Sequence, residues 1–198
     1  MRHCRAVSSV GSVVVLLAIA ASPAAGRIIE GTTEAEFYGG AYLPGPGELD
    51  TAFALGLHGG RNFSESYKLQ IGFGYARSDG ARVGDMGGKA DLELTLTFID
   101  ATFVYHVMPR RRWVTMLYAG PSWAFADLVA DIDPVDEPLF VEGLRKDSFS
   151  LHFGAGGKYD INRTWSLIPA LRWRWFEKRD TGDLDYEITL GVGYTSLP

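Results

Sequence analysis

Residues 184–194, with the sequence LDYEITLGVGY, alternate between apolar side chains and polar or glycine residues. The apolar set is Leu184, Tyr186, Ile188, Leu190, Val192 and Tyr194, and the residues between them are Asp185, Glu187, Thr189, Gly191 and Gly193. A period of two predicts a β-strand whose successive side chains point to opposite faces. The charges share a face with glycines, which suits a crowded interior, so the apolar face would look outward.

Residues 164–178 repeat this pattern in the preceding segment. One face carries Trp165, Leu167, Leu171, Trp173 and Trp175, and the other carries Ser166, Ala170, Arg172, Arg174 and Lys178. A soluble sheet places its bulky apolar face inside and its charges outside, so the arrangement is inverted here. This inversion is typical of a β-barrel in a lipid bilayer.

Eight segments show the alternation, and the links between them differ in length. The segments are residues 36–43, 51–61, 66–77, 91–107, 113–127, 148–160, 164–178 and 184–195. Tight turns at 62–65, 108–112 and 160–163 alternate with longer polar links at 44–50, 78–90, 128–147 and 179–183. The sequence therefore predicts an all-β, eight-stranded antiparallel transmembrane β-barrel with short periplasmic turns and longer extracellular loops.

Local irregularities are expected at three places in these strands. In the fourth segment, Leu92, Leu94, Leu96 and Phe98 lie on even positions, whereas Ala101, Phe103 and Tyr105 lie on odd ones. A β-bulge near residues 99–100 would restore the register and keep Asp100 out of lipid. Pro121 and Pro169 cannot donate to the ladder, which predicts a bulge or a local break at each.

The amino-terminal residues predict export from the cytoplasm. Arg2, His3 and Arg5 precede an apolar core at 13–20 and small residues at 18–26. We therefore expect a cleaved signal peptide over 1–26, a barrel domain over 27–198 and a location in the bacterial outer membrane. Cys4 would leave with the signal peptide, so no disulfide or thiolate metal site is expected afterwards.

The overall charge excludes one class of partner. Removal of the signal peptide would leave 17 basic residues against 24 acidic ones, without a basic stripe. We therefore expect no binding to nucleic acid. The acidic link at 128–147 has two interpretations: a solvated extracellular loop, or a weak Ca²⁺ site or bridge to cation-linked lipopolysaccharide.

Charged residues on the inner face are candidates for ion pairs. Arg172 and Arg174 precede Asp185 and Glu187 on the next strand, which predicts pairing across the last hairpin. The other residues placed on the inner face are Lys68, Glu93, His152 and Lys158. An eight-stranded barrel has room for side chains but hardly for a channel. The favoured interpretation is a charge-paired core, and a gated proton or ion path is the alternative.

Aromatic residues concentrate toward the strand ends on the face opposite the charges. They are Trp113, Trp123, Tyr159, Trp165, Trp175, Tyr186 and Tyr194. Amphipathic rings prefer the level of the lipid headgroups, which predicts two lipid-facing aromatic girdles. Ordinary core packing of these rings is the alternative interpretation.

Four stretches carry a family resemblance: FALGLHGGRNFSESYKLQIGFGYARSDG (53–80), FIDATFVYHVMPRRRWVTMLYAGPSWAFAD (98–127), HFGAGGKYDINRTWSLIPALRWRWFE (152–177) and YEITLGVGY (186–194). They resemble the small outer-membrane β-barrel family that includes the OmpA-type N-terminal barrel and porin-family barrels. The resemblance implies contact with outer-membrane lipid and lipopolysaccharide, and insertion by the barrel assembly machinery. We expect a monomer without a cofactor.

Catalysis is not expected from the residues present. Lipid A deacylases are similar small barrels with a His-x-Ser pair on the penultimate strand, where this chain has Trp175 and Glu177. Without a base beside a nucleophile, acyl transfer has no mechanism. Ser150 and His152 form a reversed pair, and the spacing of the histidines does not suit a metal.

We therefore predict a non-enzymatic barrel with a structural or surface-interaction role. Three alternatives remain: a passive porin-like conduit for small solutes, a deacylase-like barrel lacking the His-x-Ser pair, and a soluble periplasmic barrel with its two faces exchanged.

Overall fold

The computed structural model describes residues 28–45, 50–83, 89–132, 141–177 and 184–196, with the backbone alone described for 80–83, 89–92, 128–132 and 141–146. These residues form eight β-strands: β1 (Thr33–Leu43), β2 (Ala52–Asn62), β3 (Tyr67–Val83), β4 (Lys89–Val107), β5 (Trp113–Ile132), β6 (Val141–Asp160), β7 (Trp165–Phe176) and β8 (Leu184–Ser196). The predicted signal peptide lies outside the described residues.

The strands close into one antiparallel barrel. Each strand pairs with its neighbours in chain order, and β1 pairs with β8 to complete the ring. Closure leaves no free sheet edge. Among the described residues, no helix has the length and apolar character needed to cross a membrane. The predicted fold class, an eight-stranded antiparallel barrel, is confirmed.

The two ends of the barrel differ in construction. At one end, the short-turn end, residues 63–66, 108–112 and 161–164 join successive strands. At the other, the hairpin end, β3 to β6 contain 17 to 20 residues each, compared with 11 to 13 in the other four strands. The prediction of loops throughout 78–90 and 128–147 is therefore wrong, because polar residues continue the backbone ladder beyond the apolar wall.

The predicted alternation of faces is present on most strands. In β8, Ile188 and Leu190 are exposed on the outer wall, whereas Asp185 and Glu187 are buried in the lumen. Strands β2, β3, β5, β6 and β7 alternate in the same sense where their side chains are described. Because lumen-facing and outward positions alternate strictly, a single register error would exchange the two faces.

Strand β4 departs from the prediction. Its pairing with β5 keeps one register from Ala90↔Ile132 to Val107↔Thr115, so the β-bulge expected near 99–100 is absent from it. Leu94, Leu96 and Phe98 point inward with Asp100 instead of outward. They pack at the hairpin end of the lumen against small or aromatic residues, namely Tyr42, Ala52, Ala54, Ala76, Ala124 and Phe176. Because an apolar layer fills the lumen at this level, the even-numbered residues of β4 can face inward along the whole strand without a bulge.

The two prolines interrupt pairing without changing the register. The β4–β5 ladder has a gap between Asp100↔Ser122 and Phe103↔Ala119, beside Pro121. The β6–β7 ladder has a gap between Gly156↔Ala170 and Tyr159↔Leu167, beside Pro169. The predicted local breaks are thus confirmed. A register shift occurs elsewhere, between Leu128 and Ala130 where β5 pairs with β6.

Residues 28–32 cross the short-turn end of the lumen. The Ile28 N–H donates to the Pro109 carbonyl at 3.2 Å, and the Gly31 N–H donates to the Asn62 carbonyl at 2.7 Å. Ile28 and Thr32 are buried, and the Asn62 amide donates to the Thr32 hydroxyl at 2.9 Å. This segment thereby covers part of the lumen at that end.

Candidate functional site

The centre of the lumen is occupied by an arginine held on a carboxylate from the far wall. Arg174 on β7 donates through Nη1 and Nη2 to the two carboxylate oxygens of Asp100 on β4, each at 2.8 Å. Nη1 also donates to the Ser122 hydroxyl at 3.0 Å. Both charged side chains are buried. This paired geometry is the strongest form of an arginine–carboxylate contact.

A second carboxylate joins the two lumen arginines. Glu187 Oε2 lies 3.4 Å from Nη1 of Arg172 and 3.3 Å from Nη2 of Arg174. Arg172 Nη2 lies 3.4 Å from Nε2 of His58, whose Nδ1 lies 3.3 Å from Glu36. A neutral His58 with its proton on Nδ1 would satisfy both contacts. The charge network thus extends from β7 through β8 to β2 and β1.

Aromatic rings surround the guanidinium groups. The Tyr38 ring stacks on His58 with centroids 4.7 Å apart, and Arg172 Cζ lies 5.6 Å from the Tyr38 centroid. Arg174 Cζ lies 4.1 Å from the Phe98 centroid. Both distances fall within the range of cation–π attraction. Glycines make room for these rings, since a Cβ atom at Gly56 would lie 2.4 Å from the Tyr38 ring.

A separate ion cluster lies nearer the short-turn end. Glu34 on β1 accepts from Lys68 on β3 at 3.0 Å and from Lys158 on β6 at 2.5 Å. The Asn62 amide adds a third bond to Glu34 at 3.1 Å. One carboxylate on β1 therefore connects side chains of β2, β3 and β6.

The interior candidates differ in their contacts. Arg172, Arg174 and Glu187 meet in the central network, and Lys68 and Lys158 meet on Glu34. Asp185 lies opposite Arg174 in the register, and its carboxylate accepts from the Tyr42 hydroxyl and the Gly45 N–H.

One inner-face assignment is wrong, because Glu93 lies on the outer wall and pairs there with Arg77 at 2.7 Å. The β4 phase change that was expected near Asp100 is absent, and the continuous register places odd-numbered Glu93 outside. Lys178, also assigned to the inner face, lies outside the described residues.

Sequence reasoning missed three lumen carboxylates. Asp100, Glu34 and Glu36 lie inside the barrel. From the sequence, Asp100 is considered only as a residue that a bulge would keep out of lipid, and Glu34 and Glu36 are not placed on the inner face. The sequence carries a signal for Asp100, since Asp100, Thr102 and His106 are polar and share even positions on one strand. Leu92, Leu94 and Leu96 also lie on even positions, and these bulky apolar residues favoured the assignment of that face to lipid.

The seven aromatic candidates lie on the outer wall. Trp113, Tyr159, Trp165 and Tyr194 lie near the short-turn end, and Trp123, Trp175 and Tyr186 lie toward the hairpin end. Trp113 and Trp123 are ten residues apart on β5. At about 3.3 Å per residue and a tilt of about 40°, that spacing corresponds to about 25 Å along the barrel axis. Tyr67 and Tyr105, which the prediction omitted, contact each other near the short-turn end in a tilted arrangement with centroids 5.4 Å apart.

The histidines and Ser150 are buried lumen residues. Ser150 Oγ donates weakly to the Ser122 carbonyl at 3.5 Å, and His152 Nε2 lies 2.9 Å from the Thr102 hydroxyl. His106 is also fully buried, near Lys68 and Glu34. Neither nitrogen of His106 has a hydrogen-bond partner among the described residues. Asp131, Asp133, Asp136, Glu137 and Glu142 of the acidic link lie at positions whose side chains are not described.

Around the Glu34 cluster, the described part of the lumen leaves little open space. A cavity of about 10 Å³ lies beside Glu34, Glu36, His58, Lys68 and Gln70. That volume holds about one water molecule. At the level of Arg172 and Arg174, side chains rather than solvent fill the described cross-section of the lumen. This arrangement favours a lumen that is closed to solutes.

Comparison with known proteins identifies the family to which the fold belongs. The family model described as outer membrane protein beta-barrel domain matches residues 11–195. No curated protein matches the sequence significantly. OprG of Pseudomonas aeruginosa is similar in structure with a TM-score of 0.61 and 13% identity, covering 87% of this chain and 99% of that chain.

Two further solved barrels have similar folds at low identity. A major outer membrane protein of Thermus thermophilus has a TM-score of 0.59 and 14% identity, covering 83% of this chain and 99% of that chain. Ail of Yersinia pestis has a TM-score of 0.57 and 16% identity, covering 85% and 100%. Because the family model covers nearly the whole barrel, this chain belongs to the outer membrane protein β-barrel domain family and is a transmembrane barrel of the bacterial outer membrane.

Proposed function

We propose that this barrel is a non-enzymatic structural protein that does not conduct solutes and presents its hairpin end to the surroundings of the cell. The observation that supports this most is the contact of Arg174 with Asp100 across the lumen and with Glu187 on the neighbouring strand. Removing either carboxylate would leave the two buried arginines with only one of these two compensating charges, which is costly. Opening a path along the lumen would therefore require this network to break.

Planar-bilayer recording of the refolded chain tests closure. We expect no discrete current steps from the native chain. The double variant Arg172→Ser with Glu187→Ser removes one charge of each sign and serves as a comparison with a wider lumen. Heat-modifiable migration on a gel would verify that both proteins are folded. Stable single-channel steps from the native chain would contradict the proposal and support the porin-like conduit.

We propose that the chain has no lipid A deacylase activity. Ser150 and His152 have other partners, Ser122 and Thr102, and both are buried. A nucleophile and base need mutual hydrogen-bond geometry and access to substrate. Mass spectrometry of lipid A incubated with the folded protein should show every acyl chain retained. Loss of one acyl chain that disappears in His152→Ala would overturn this proposal.

The proposed surroundings of the barrel are lipid and lipopolysaccharide, with insertion by the barrel assembly machinery and a monomeric state. The outward apolar wall, with Leu190 and Ile71 exposed by 58% and 66%, supports contact with lipid. Sedimentation equilibrium in a density-matched detergent measures the oligomeric state. One protein mass is expected, and a defined multiple of it would contradict the monomer.

A further inference from the structure

Charged residues are distributed unequally between the two ends of the barrel. Five arginines lie at the short-turn end: Arg61, Arg110, Arg111, Arg112 and Arg163. The described acidic residues at that end are Glu30, Glu65 and Asp160. Toward the hairpin end, the described solvent-facing charges are Arg77 against Asp50, Asp79, Glu93, Asp127, Asp147 and Glu177. Among the described side chains, one end of the barrel is therefore basic and the other acidic, and we call the five arginines the basic rim.

Most of the basic rim is free to contact a ligand. Arg61, Arg111 and Arg163 are exposed, and within the described part of the chain none forms an ion pair. Arg110 pairs with Glu65 at 2.9 Å, but its side chain remains 74% exposed. An ion pair this exposed is weak and competes poorly with a stronger anion.

Arg112 connects the rim to the outer wall. Its Nε donates to the Asp160 carbonyl at 3.0 Å, and its guanidinium carbon lies 4.9 Å from the centroid of the Tyr159 ring. Tyr159 in turn contacts the exposed Trp113, with centroids 6.4 Å apart. These contacts hold the guanidinium beside the aromatic residues of the short-turn end.

The position of the basic rim along the barrel axis favours a lipid headgroup as its ligand. Trp and Tyr side chains lie at the boundary between hydrocarbon and headgroups in membrane proteins. Trp113 and Trp165 are half-exposed at this level, with Arg112 and Arg163 in the adjoining turns. Arginine is suited to phosphate because its planar fork can donate two parallel hydrogen bonds.

We propose that the basic rim is a binding surface for the phosphodiester headgroups of anionic phospholipids, such as phosphatidylglycerol, in the leaflet facing the short-turn end. Arg111, Arg112 and Arg163 form the headgroup contacts. Trp113 and Tyr159 pack beside the part of the same lipid that adjoins its headgroup. The acidic hairpin end would repel such headgroups, so the preference belongs to one end of the barrel.

Quenching of a single tryptophan by brominated lipid tests the site in folded protein. One variant keeps Trp113 and replaces the other four tryptophans by Phe, and its matched control keeps Trp123 near the hairpin end. Each is refolded into phosphatidylcholine vesicles containing brominated phosphatidylglycerol or brominated phosphatidylcholine. For Trp113 we expect a preference for the anionic lipid of roughly fivefold, the effect of about one arginine near a charged surface. Trp123 should show no such preference.

Substitution of the rim gives the second arm of the test. Arg111→Gln with Arg163→Gln alters two side chains without an ion pair, so folding should be retained and the Trp113 preference should fall, since Arg112 is left as the only one of the three headgroup contacts. Arg77→Gln at the opposite end is the control and should leave it unchanged. High salt should weaken the preference because exposed charges are screened. Equal quenching of Trp113 by both lipids, or a preference that loss of Arg111 and Arg163 does not reduce, would overturn the proposal.

Discussion

At the scale of single residues, the lumen depends on charges that neutralise one another. Arg174 has 0% of its surface exposed and donates to Asp100 through both terminal nitrogens. A buried guanidinium is tolerated only when its donors are satisfied and its charge is compensated. Asp100 provides both functions from the opposite wall.

Replacement of Asp100 by Asn should be strongly destabilising because it leaves Arg174 with Glu187 as its remaining carboxylate within ion-pair distance. We expect the free energy of unfolding, measured by urea titration in lipid vesicles, to fall by about 3 kcal/mol or more. Asp79→Asn changes an 80% exposed side chain and is the matched control. It should cost under about 1 kcal/mol. Equal losses in the two variants would contradict the assigned role of Asp100.

A second residue-scale feature is the space that inner glycines leave for aromatic rings. A Cβ atom at Gly56 would lie 2.4 Å from Tyr38, whereas one at Gly59 on the outer wall would meet nothing within 4 Å. Gly56→Ala should therefore lower the free energy of unfolding by about 1–3 kcal/mol through overpacking. Gly59→Ala, on the same strand, should have little effect. Equal losses in denaturant titration would show that Tyr38 and the Phe73 carbonyl, which a Cβ at Gly56 would meet at 2.5 Å, can both move aside.

At the scale of the element, a strand in this barrel has a wall face and a lumen face. In β8, Leu190 is 58% exposed at the middle of the strand, and its ladder partners are Pro169 and Gly39. The central position and the apolar neighbours Ile188 and Val192 indicate contact with the hydrocarbon part of the bilayer. The adjacent Thr189 is buried in the lumen.

Leu190→Arg tests the depth and face of β8. An arginine on the lipid face near the bilayer midplane costs roughly 2–4 kcal/mol, and the cost falls to about 0–1 kcal/mol near the interface. Ser196→Arg, on the same face at the end of the same strand, is the control and should be nearly neutral. The measurement is the unfolding free energy in vesicles of one lipid composition. Similar values for the two variants would contradict the proposed depth of Leu190.

At the scale of the whole molecule, stability depends on closure of the ring between β1 and β8. Their ladder extends from Thr33↔Ser196 to Leu43↔Tyr186. A closed barrel has all its strands paired, and lipid supplies no alternative hydrogen-bond partners. The folded protein should therefore resist detergent until it is heated.

We predict that unheated protein migrates differently from boiled protein on a denaturing gel. Val192→Pro should abolish the folded band, since β8 pairs on both sides and proline removes a ladder donor. Ser196→Pro at the strand end is the control and should retain the folded band. A folded band from Val192→Pro would show that closure tolerates a break in β8.

Residue alternation determined the strand number, the class of fold and most face assignments before any tertiary contact was considered. The period-two pattern in β7 and β8 requires only local geometry, because successive side chains on a strand must point in opposite directions. For the same reason, the inner positions of Arg172, Arg174, Asp185 and Glu187 could be predicted from their own strands. The residue at which each long hairpin ends could not be predicted in this way. Outside the apolar band, polar residues are equally compatible with a paired strand and with a loop.

Only the tertiary structure decided which parity of β4 faces the lumen and which charges meet across it. Leu94 and Leu96 point inward because small residues on other strands leave space for them at the hairpin end. Asp100 meets Arg174, and Glu34 meets Lys68 and Lys158, across strands far apart in sequence. Alternation specifies that a side chain points inward. Its height and its partner across the lumen depend on the tilt and stagger with which the strands close into a barrel.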